Sequence, residues 1–367
     1  MMNIAFTCNN LNNGGAERVI CNIANQMALD GHNVHLICYR VTESFYYELN
    51  DGVEIIQLDP HINMRNFFIS RKIAGIVNLF KLCDALKWSD TVISFYTRQN
   101  CYSIIVCKLI GVPIICSERD HFFLNDGLIN HTLRRLCYPL SDGFIHQTKA
   151  AQEWLRANEG VKCKDIVIPN PLWIENFPER KPVKGYVIAV GRLEEQKNYK
   201  ELIDAFITVK RQIPYAELHI FGDGPQRKEL QQYINSKDLN DTVFLEGITK
   251  DIISIYAKSE VFVMFSHGEG YPNALMEALA MGVPCISSDC PVGGPKDMIE
   301  NGYNGFLVPC SDTDQLALKI ITLLTHSNIA IKFSKNAKQI RETNKFPLIY
   351  KTIIKYLNKI NKDFFQK

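Results

Sequence analysis

The chain has 367 residues, of which 46% are hydrophobic and 22% charged, and its formal net charge is +2. This length predicts a globular protein of about two domains rather than one core. The charge is uneven, because residues 1–185 carry 19 Lys/Arg against 18 Asp/Glu, residues 186–329 carry 12 against 19, and residues 330–367 carry 10 against 2. An acidic middle makes nucleic acid a poor candidate partner, whereas the basic end is compatible with an anionic membrane surface.

The first residues and the cysteines indicate the compartment. The chain begins Met1-Met2-Asn3-Ile4-Ala5-Phe6, the pattern of a strand, without the basic and apolar regions of a signal peptide. The most apolar stretch, residues 103–116, contains Lys108 and is shorter than the roughly 20 residues of a membrane-spanning helix. The twelve cysteines form no C-x-x-C pairs. We therefore expect reduced core cysteines in a cytosolic protein, with no disulfide and no metal site.

A glycine-rich turn follows the first predicted strand. Gly14 and Gly15 precede a helix that should end near Gly31, and such a turn can offer backbone N–H groups to a phosphate. The turn lacks the G-x-G-x-x-G pattern, and the second strand ends in Tyr39-Arg40 without the acid that would bind an NAD ribose. These features argue against a dehydrogenase. A tight βα turn without a ligand explains the two glycines equally well.

Further short apolar runs at residues 53–59, 91–96 and 113–117 alternate with helical patterns, and another βα unit spans residues 143–167. This alternation predicts an α/β fold with a doubly wound parallel sheet. Ligands of such sheets bind beyond the carboxyl ends of the strands. We therefore expect the residues after the fifth strand, Glu118, Arg119, Asp120 and His121, at the binding edge.

A basic amphipathic helix is predicted between residues 61 and 83. The segment has no acid, and aromatic and aliphatic residues separate its cations, which are Arg65, Arg71, Lys72 and Lys81. Such a helix can dock on an anionic membrane. A helix that covers the sheet and leaves its cations in water would have the same pattern, so both interpretations remain open.

Four prolines between residues 168 and 184 indicate a linker between two domains. The second domain begins with an apolar strand that leads to Gly191, Arg192 and Lys197. Two fixed cations after a buried strand can neutralise a diphosphate without a metal, Arg192 as a planar fork and Lys197 as a point charge. Either residue alone would be expected to be an ordinary surface charge.

The stretch from His267 to Gly282 combines a loop and a helix after the apolar strand 261–266. Pro272 favours the first helical position, and Gly282 favours the helix end. The N–H groups at the start of this helix, those of Asn273, Ala274 and Leu275, can bind an anion. Glu277 lies one turn further on, where its carboxylate can accept hydrogen bonds from a ribose. The pattern predicts a nucleotide site, although an ordinary βα unit with two solvated acids, Glu269 and Glu277, has the same local sequence.

Glu269 and Glu277, in E-G-Y-P-N-A-L-M-E, resemble the paired-glutamate signature of the retaining GT-B glycosyltransferases of family 4. The order of motifs also resembles that family: Gly-Arg followed by Lys, then Gly-Asp-Gly at 222–224, the two glutamates, and Gly-Pro at 294–295. Ordered matches across most of the second domain are more specific than any single motif.

The resemblance implies two Rossmann-like domains facing a cleft. The acceptor domain would span residues 1–168, the donor domain residues 185–345, and a helix within 346–367 would pack back on the first domain. The implied reaction moves a hexose or N-acetylhexosamine, with retention, from a nucleotide sugar, which we expect to be UDP-linked, to a polyprenyl-diphosphate-linked glycan of surface polysaccharide. The enzyme would need neither cofactor nor metal and would work at the cytoplasmic face of the plasma membrane.

The resemblance also implies roles for individual residues. Around the donor, Gly14 and Gly15 would close over the diphosphate, Arg192 and Lys197 would clamp it, Glu269 would bind sugar hydroxyls and Glu277 the ribose. The remaining donor-binding residues would be Gly247, Ile248, Tyr271, Asn273, Ala274 and Leu275. In the family a histidine near the fifth strand contacts the sugar. Here Arg119 occupies that place and His121 follows two residues later, where a catalytic and a purely structural histidine remain equally open. Arg65, Arg71, Lys72 and Arg119 would face the acceptor or the membrane.

Two rival functions share this architecture. One is a nucleotide-sugar epimerase, and the other is a catalytically silent protein that binds a sugar nucleotide. An epimerase needs acid and base side chains in a different arrangement, which the sequence does not contain.

Overall fold

The computed structural model describes residues 1–12, 14–40, 47–58, 67–119 and 127–366, with the backbone alone for residues 67–76. The chain divides into two compact units, Met1–Asn170 with Pro347–Lys367, and Pro171–Phe346. Each unit contains one parallel sheet with helices, which confirms the predicted α/β class. Residues 171–184, the larger part of the predicted linker, belong to the second unit.

The first unit contains seven strands and six α-helices in its described residues. Its strands are β1 (Asn3–Cys8), β2 (Asn33–Cys38), β3 (Val53–Gln57), β4 (Thr91–Phe95), β5 (Ile114–Ser117), β6 (Gly143–His146) and β7 (Lys164–Val167). Its first five helices are α1 (Gly15–Leu29), α2 (Phe67–Leu86), α3 (Thr97–Ile110), α4 (Gly127–Cys137) and α5 (Lys149–Asn158). A short 3-10 segment, Tyr138–Leu140, follows α4. The strand order is β3-β2-β1-β4-β5-β6-β7.

The second unit contains six strands and eight α-helices. Its strands are β8 (Tyr186–Val190), β9 (Glu217–Phe221), β10 (Val243–Gly247), β11 (Val261–Met264), β12 (Cys285–Ser288) and β13 (Gly305–Val308). Its helices are α6 (Tyr199–Gln212), α7 (Arg227–Ser236), α8 (Ile252–Lys258), α9 (Asn273–Met281), α10 (Gly294–Met298), α11 (Thr313–Thr325), α12 (Ser327–Ala337) and α13 (Ile340–Thr343). A 3-10 segment, Glu195–Lys197, precedes α6. The strand order is β10-β9-β8-β11-β12-β13.

The central strands are mostly apolar and buried, as expected where helices cover both faces of a doubly wound sheet. All residues of β4 and β11 are buried. In both sheets the strand order reverses beside the first strand of the unit, β1 or β8, and each of these strands has its neighbours on both sides in parallel register. The carboxyl ends of the strands at this reversal form the crevice where doubly wound sheets bind ligands.

The last helix, α14 (Phe346–Phe365), belongs almost entirely to the first unit. It buries one stripe, Ile349, Ile353, Leu357 and Ile360, at the spacing of an amphipathic helix. Tyr356 Oη lies beside the start of β6, where it accepts a hydrogen bond from Phe144 N at 2.8 Å. The side chain contacts Gly143 closely, since a Cβ there would lie 2.6 Å from the hydroxyl.

Among the described residues, no single helix is long and apolar enough to cross a bilayer. Two consecutive helical segments there, Thr313–Thr325 and Ser327–Thr343, have that length and composition only when taken together, and they meet at a bend of 96°.

We expect Tyr356→Phe to lower the free energy of unfolding of the first unit by about 1–3 kcal/mol, because it leaves the buried Phe144 N–H without its acceptor. Urea denaturation followed by intrinsic fluorescence measures this change. Tyr350→Phe is the matched control on the same helix, since its hydroxyl reaches Asp30 at the exposed surface. Equal destabilisation by the two variants would contradict the structural role of Tyr356.

Candidate functional site

The helix of the glutamate motif follows a buried strand and one loop. β11 is followed by the loop 265–272, and Pro272 is the residue before the first helical position of α9 rather than the first helical residue that we predicted. Gly282 ends the helix in the left-handed region, with φ of 76°. Residues 275–281 are all buried, so α9 is a core helix whose start lies at the ligand edge of the sheet.

The start of α9 has the geometry of an anion site. Its first backbone hydrogen bond runs from Met276 N to Pro272 O at 3.1 Å, and no side chain of the described residues caps the helix. The N–H groups of Ala274 and Leu275 precede this bond and therefore have no acceptor within the helix. Together with the helix dipole they favour a phosphate at this end of α9.

Glu277 lies in the second turn of α9 and is buried. Its Oε2 lies 3.4 Å from Tyr256 Oη, which also donates to Ala274 O at 3.1 Å. Tyr256 thereby keeps the carboxylate beside the first turn of α9, which is the position that our prediction requires for a ribose ligand. The sequence offered no sign of Tyr256, because its position on the preceding helix, α8, becomes relevant only when α8 packs on α9.

Glu269 and Lys197 form the central contact of the site. Lys197 Nζ donates a hydrogen bond to Glu269 Oε1 at 2.5 Å, and both side chains are largely buried. Gln196 joins the same two loops by two further hydrogen bonds. Its side-chain Nε2 donates to Gly268 O at 2.5 Å, and its backbone carbonyl accepts from His267 N at 2.8 Å. The predicted clamp cation and the predicted sugar-binding acid are therefore direct partners.

Arg192 is placed differently from Lys197. Its side chain is 60% exposed, and its Nη1 lies 3.1 Å from Glu194 Oε1. An exposed pair of this kind is weak, so the guanidinium can exchange Glu194 for another anion at little cost. Arg192 follows β8 directly and thus lies at the same sheet edge as Lys197.

Close backbone approach explains two glycines of the second unit. Gly222 has φ of 136°, and a Cβ there would overlap the carbonyl oxygen of Gly191. A Cβ at Gly294 would overlap the carbonyl oxygen of Gly270. The loop after β9 therefore lies on the Gly-Arg loop, and the Gly-Pro loop lies on the loop that carries Glu269.

The residues predicted to receive the nucleotide base, Gly247 and Ile248, lie at the carboxyl end of β10. Gly247 has φ of 81°, and its carbonyl accepts a hydrogen bond from Gly222 N at 2.8 Å. Ile248 is 54% exposed. Tyr271 is instead buried and accepts a hydrogen bond from Asn344 Nδ2 at 2.8 Å, and burial raises the pKa of its phenol.

In the first unit, Gly14 and Gly15 begin α1, as predicted. Gly14 O accepts a hydrogen bond from Tyr47 Oη at 2.9 Å. A Cβ at Gly14 would overlap the Glu17 carboxylate, which accepts from Tyr96 Oη at 2.8 Å. Tyr96 itself has φ of 72°, an unusual value for a bulky residue and one that marks a constrained strand end. Sequence reasoning missed Glu17, Tyr47 and Tyr96.

Arg119 follows β5 and is largely shielded from water. Its Nη1 donates to Asn170 Oδ1 at 2.7 Å, Gln147 Nε2 donates to the same oxygen at 2.8 Å, and the Phe95 ring centroid lies 5.1 Å from its Cζ. Burial lowers the pKa of this guanidinium to about 10, and Arg119 forms no ion pair within the described ranges. Within the described residues, the Arg119 guanidinium thus lies against neutral partners, an arrangement that favours an anionic ligand.

Glu118, also predicted at this edge, is held inside the first unit by hydrogen bonds to neighbouring side chains. It is buried and accepts hydrogen bonds from Thr97 Oγ1 at 2.7 Å and from Tyr138 Oη. His121 and Arg65 lie outside the described residues, and the structure gives only the backbone of Arg71 and Lys72, within α2. In the described part of the chain, no group of three or more His, Cys, Asp or Glu residues could hold a metal ion. Metal independence stays a prediction.

Comparison with known proteins places the chain in a family. Residues 13–175 match the family described as Glycosyltransferase Family 4, and residues 173–340 match Glycosyl transferases group 1. A Campylobacter jejuni protein, GalNAc-alpha-(1->4)-GalNAc-alpha-(1->3)-diNAcBac-PP-undecaprenol alpha-1,4-N-acetyl-D-galactosaminyltransferase, is 30% identical over 346 residues, covering 92% of this chain and 93% of that protein.

Two further similarities agree with this match. Another C. jejuni protein, N-acetylgalactosamine-N,N'-diacetylbacillosaminyl-diphospho-undecaprenol 4-alpha-N-acetylgalactosaminyltransferase, is 25% identical over 376 residues, covering 97% of this chain and 100% of that protein. The crystal structure of Anabaena HepE in complex with UDP and glucose has a TM-score of 0.82 at 21% identity, covering 98% of this chain and 100% of that chain. The two parallel sheets and these similarities define the class as a GT-B glycosyltransferase. The chain belongs to the glycosyltransferases that combine a family 4 N-terminal region with a group 1 C-terminal region.

We expect Gly222→Ala to destabilise the second unit more than Gly302→Ala, by about 1–3 kcal/mol of unfolding free energy. Both glycines have positive φ, but only Gly222 lies against a backbone carbonyl, whereas a Cβ at Gly302 would have open space around it. Thermal unfolding of the two variants measures the difference. If both lost the same stability, the effect would come from φ alone and the close approach of the two loops would be wrong.

Proposed function

We propose that this glycosyltransferase moves a hexose or N-acetylhexosamine, with retention, from a UDP sugar to a polyprenyl-diphosphate-linked glycan. The observation that carries the proposal is the pairing of Lys197 with Glu269 at the sheet edge where α9 begins. A cation, an acid and the start of a helix converge there, and a sugar nucleotide presents a diphosphate and neighbouring hydroxyls that match them. The lipid-linked acceptor is supported by the names of the two C. jejuni relatives.

The diphosphate would bind the start of α9 and attract Lys197 and Arg192. Lys197 is held by a single carboxylate oxygen, and Arg192 by an exposed pair. A doubly charged diphosphate competes well for both cations, and their approach stabilises the negative charge that grows as the leaving group departs. The hydroxyls of the transferred sugar would then donate hydrogen bonds to Glu269. Its Oε2 would accept them throughout, and its Oε1 would accept them once Lys197 has moved toward the diphosphate.

In the step that we infer, the bond between the anomeric carbon and the diphosphate oxygen breaks, and a bond from an acceptor hydroxyl forms on the same face. The acceptor proton passes to the departing phosphate oxygen, so no protein nucleophile is needed. The products are the glycosylated lipid and a nucleoside diphosphate. The charge on the leaving group is offset by protein cations and the helix dipole, so the proposal includes no metal.

The enzyme would act as a peripheral protein at the cytoplasmic face of the membrane, since a polyprenyl-linked acceptor cannot leave the bilayer. The cations of α2, Arg71 and Lys72, together with Arg65 just before it, would contribute electrostatic attraction to anionic lipid. The last 38 residues would add to this attraction with 10 Lys/Arg against 2 Asp/Glu.

A screen of labelled sugar nucleotides with the membrane fraction of the source cells tests the proposal against its rivals. Transfer of label to lipid supports the transferase, and it should persist in EDTA. A changed free nucleotide sugar would support an epimerase, and binding without either reaction would support a silent protein. A strict requirement for Mg²⁺ or Mn²⁺ in the transfer step would contradict the charge stabilisation that we assign to Arg192 and Lys197.

We expect Arg192→Ala, Lys197→Ala and Glu269→Gln each to lower kcat by about 10²–10³-fold, because each removes a group that stabilises the transition state. Lys200→Ala is the control, since Lys200 forms an exposed ion pair with Glu229 on the neighbouring helix surface. Single-turnover transfer to the lipid acceptor measures the rates.

A second variant separates catalysis from folding. Removing one partner of a buried ion pair typically costs about 3–5 kcal/mol of stability because the other charge is left alone. The double variant Lys197→Met with Glu269→Gln removes both charges and should regain stability without regaining activity. If the double variant were as active as wild type, the contact would be structural and the assignment of both residues to the reaction would be wrong.

A further inference from the structure

Exposed apolar side chains are concentrated on one part of the first unit. The described residues include 17 large hydrophobic side chains that are exposed, and seven of them fall between Tyr102 and Leu140. These seven are Tyr102, Ile105 and Leu109 on α3, Leu128, Ile129 and Leu136 on α4, and Leu140 directly after α4. Isolated exposed apolar residues are normal, but a cluster of this size indicates an interaction surface.

The two helices that carry most of the cluster pack side by side. On α3, Arg98, Tyr102, Ile105 and Leu109 are spaced by four, three and four residues and therefore share one face. The opposite face of α3 is buried. α4 lies against α3, and Arg98 Nε approaches Asn130 Oδ1 at 3.4 Å. We call this combined surface, with Leu140, the α3/α4 face.

The charged side chains of α3 and α4 are all positive. Neither helix contains Asp or Glu, and together they carry four arginines and lysines. Arg134 is buried against Glu159 and Lys108 pairs with Asp142 at 2.7 Å. The other two, Arg98 and Arg135, are exposed and form no ion pair in the described part of the chain.

This combination complements an anionic bilayer. Apolar side chains can enter the boundary between headgroups and acyl chains, while unpaired cations on the same face contact lipid phosphates. A contact of this face with the same face of a second copy would instead bury the cations of both copies without an acid from either α3 or α4, which is costly. The bilayer therefore satisfies both the apolar and the cationic part of the face.

The face also begins beside the ligand edge of the first sheet. In a β-strand, helix, parallel β-strand unit the helix starts at the carboxyl end of the first strand. Thr97 is the second residue after β4, and the start of α4 lies beside the start of α3, since Asn130 Oδ1 lies 3.4 Å from Arg98 Nε. Docking through Leu128 and Ile129 would place the membrane surface next to the edge at which a lipid-linked acceptor has to bind.

We propose that the α3/α4 face is the surface through which this enzyme binds the anionic membrane. The inference rests on the proposed membrane association and names the residues that perform it. The apolar residues of the face enter the lipid, and Arg98 and Arg135 contact the headgroups. The cations of α2 then add long-range attraction that salt screens, whereas the apolar contact persists at higher ionic strength.

The test compares two triple variants in vesicle sedimentation. Leu109→Ser, Ile129→Ser and Leu136→Ser together remove three apolar contacts of the face, at side chains that are 67–73% exposed. The control is Leu29→Ser, Ile331→Ser and Leu318→Ser, which removes two leucines and one isoleucine that are 57–68% exposed elsewhere. The probes are vesicles of phosphatidylcholine alone and vesicles with added phosphatidylglycerol.

We expect wild type and the control to sediment with phosphatidylglycerol vesicles, and the α3/α4 variant to bind at least about tenfold more weakly. Transfer to a polyprenyl-linked acceptor in vesicles should fall in parallel, while transfer to a short water-soluble acceptor analogue should not change. Arg71→Ser with Lys72→Ser should weaken binding mainly at low salt. This pattern would separate the apolar face from the cations of α2.

Three outcomes would overturn the inference. Equal sedimentation of both triple variants would show that another surface binds the membrane. A wild-type dimer that the α3/α4 variant dissociates, with vesicle binding unchanged, would identify the face as a contact between copies of the chain. Absence of wild-type binding to either vesicle would refute the membrane association itself, and transfer to the soluble analogue would show whether the glycosyltransferase function survives that result.

Discussion

The ion pair of Lys197 and Glu269 is the contact on which the proposed donor site depends. The two residues are 72 positions apart, but β8 and β11 are neighbours in the sheet, so the loops that leave these strands emerge side by side. Gln196 adds two hydrogen bonds between the same loops. The pair holds the acid at the start of α9 and keeps the cation from solvent, so a ligand meets both in a defined position.

The same contact limits what the site can do at rest. A lysine that is already paired contributes little net positive charge, and the N–H groups at the start of α9 then provide the first attraction for an anion. In the proposed function, a diphosphate would give the lysine a partner of higher charge and would free the carboxylate to accept hydrogen bonds from sugar hydroxyls. The two hydrogen bonds of Gln196 would keep the loops joined during this exchange.

The first unit uses a different electrostatic arrangement. Arg119 is held by Asn170 and by the Phe95 ring, and both of these partners are neutral. Nearby, Arg134 is neutralised by the buried Glu159 at 2.9 Å, and Glu118 Oε1 accepts hydrogen bonds from two hydroxyls. The neighbouring charged groups thus have structural partners, whereas the Arg119 guanidinium has none of opposite charge in the described residues. This contrast makes Arg119, rather than Glu118, the residue at this edge that suits an anionic acceptor.

The sequence by itself determined the α/β class, the order of strands and helices, and the family. The spacing of apolar residues, the glycine turns and the order of the motifs are all properties that can be read along the chain. It also located Arg192, Lys197, Glu269 and Glu277 after the strands that position them. Only the tertiary structure showed that Lys197 bonds Glu269, that Tyr256 holds Glu277, that Glu118 is buried, and that α3 and α4 share an exposed apolar face. These facts depend on which strands and helices become neighbours, and packing between residues far apart in the chain leaves no periodic signal in the sequence.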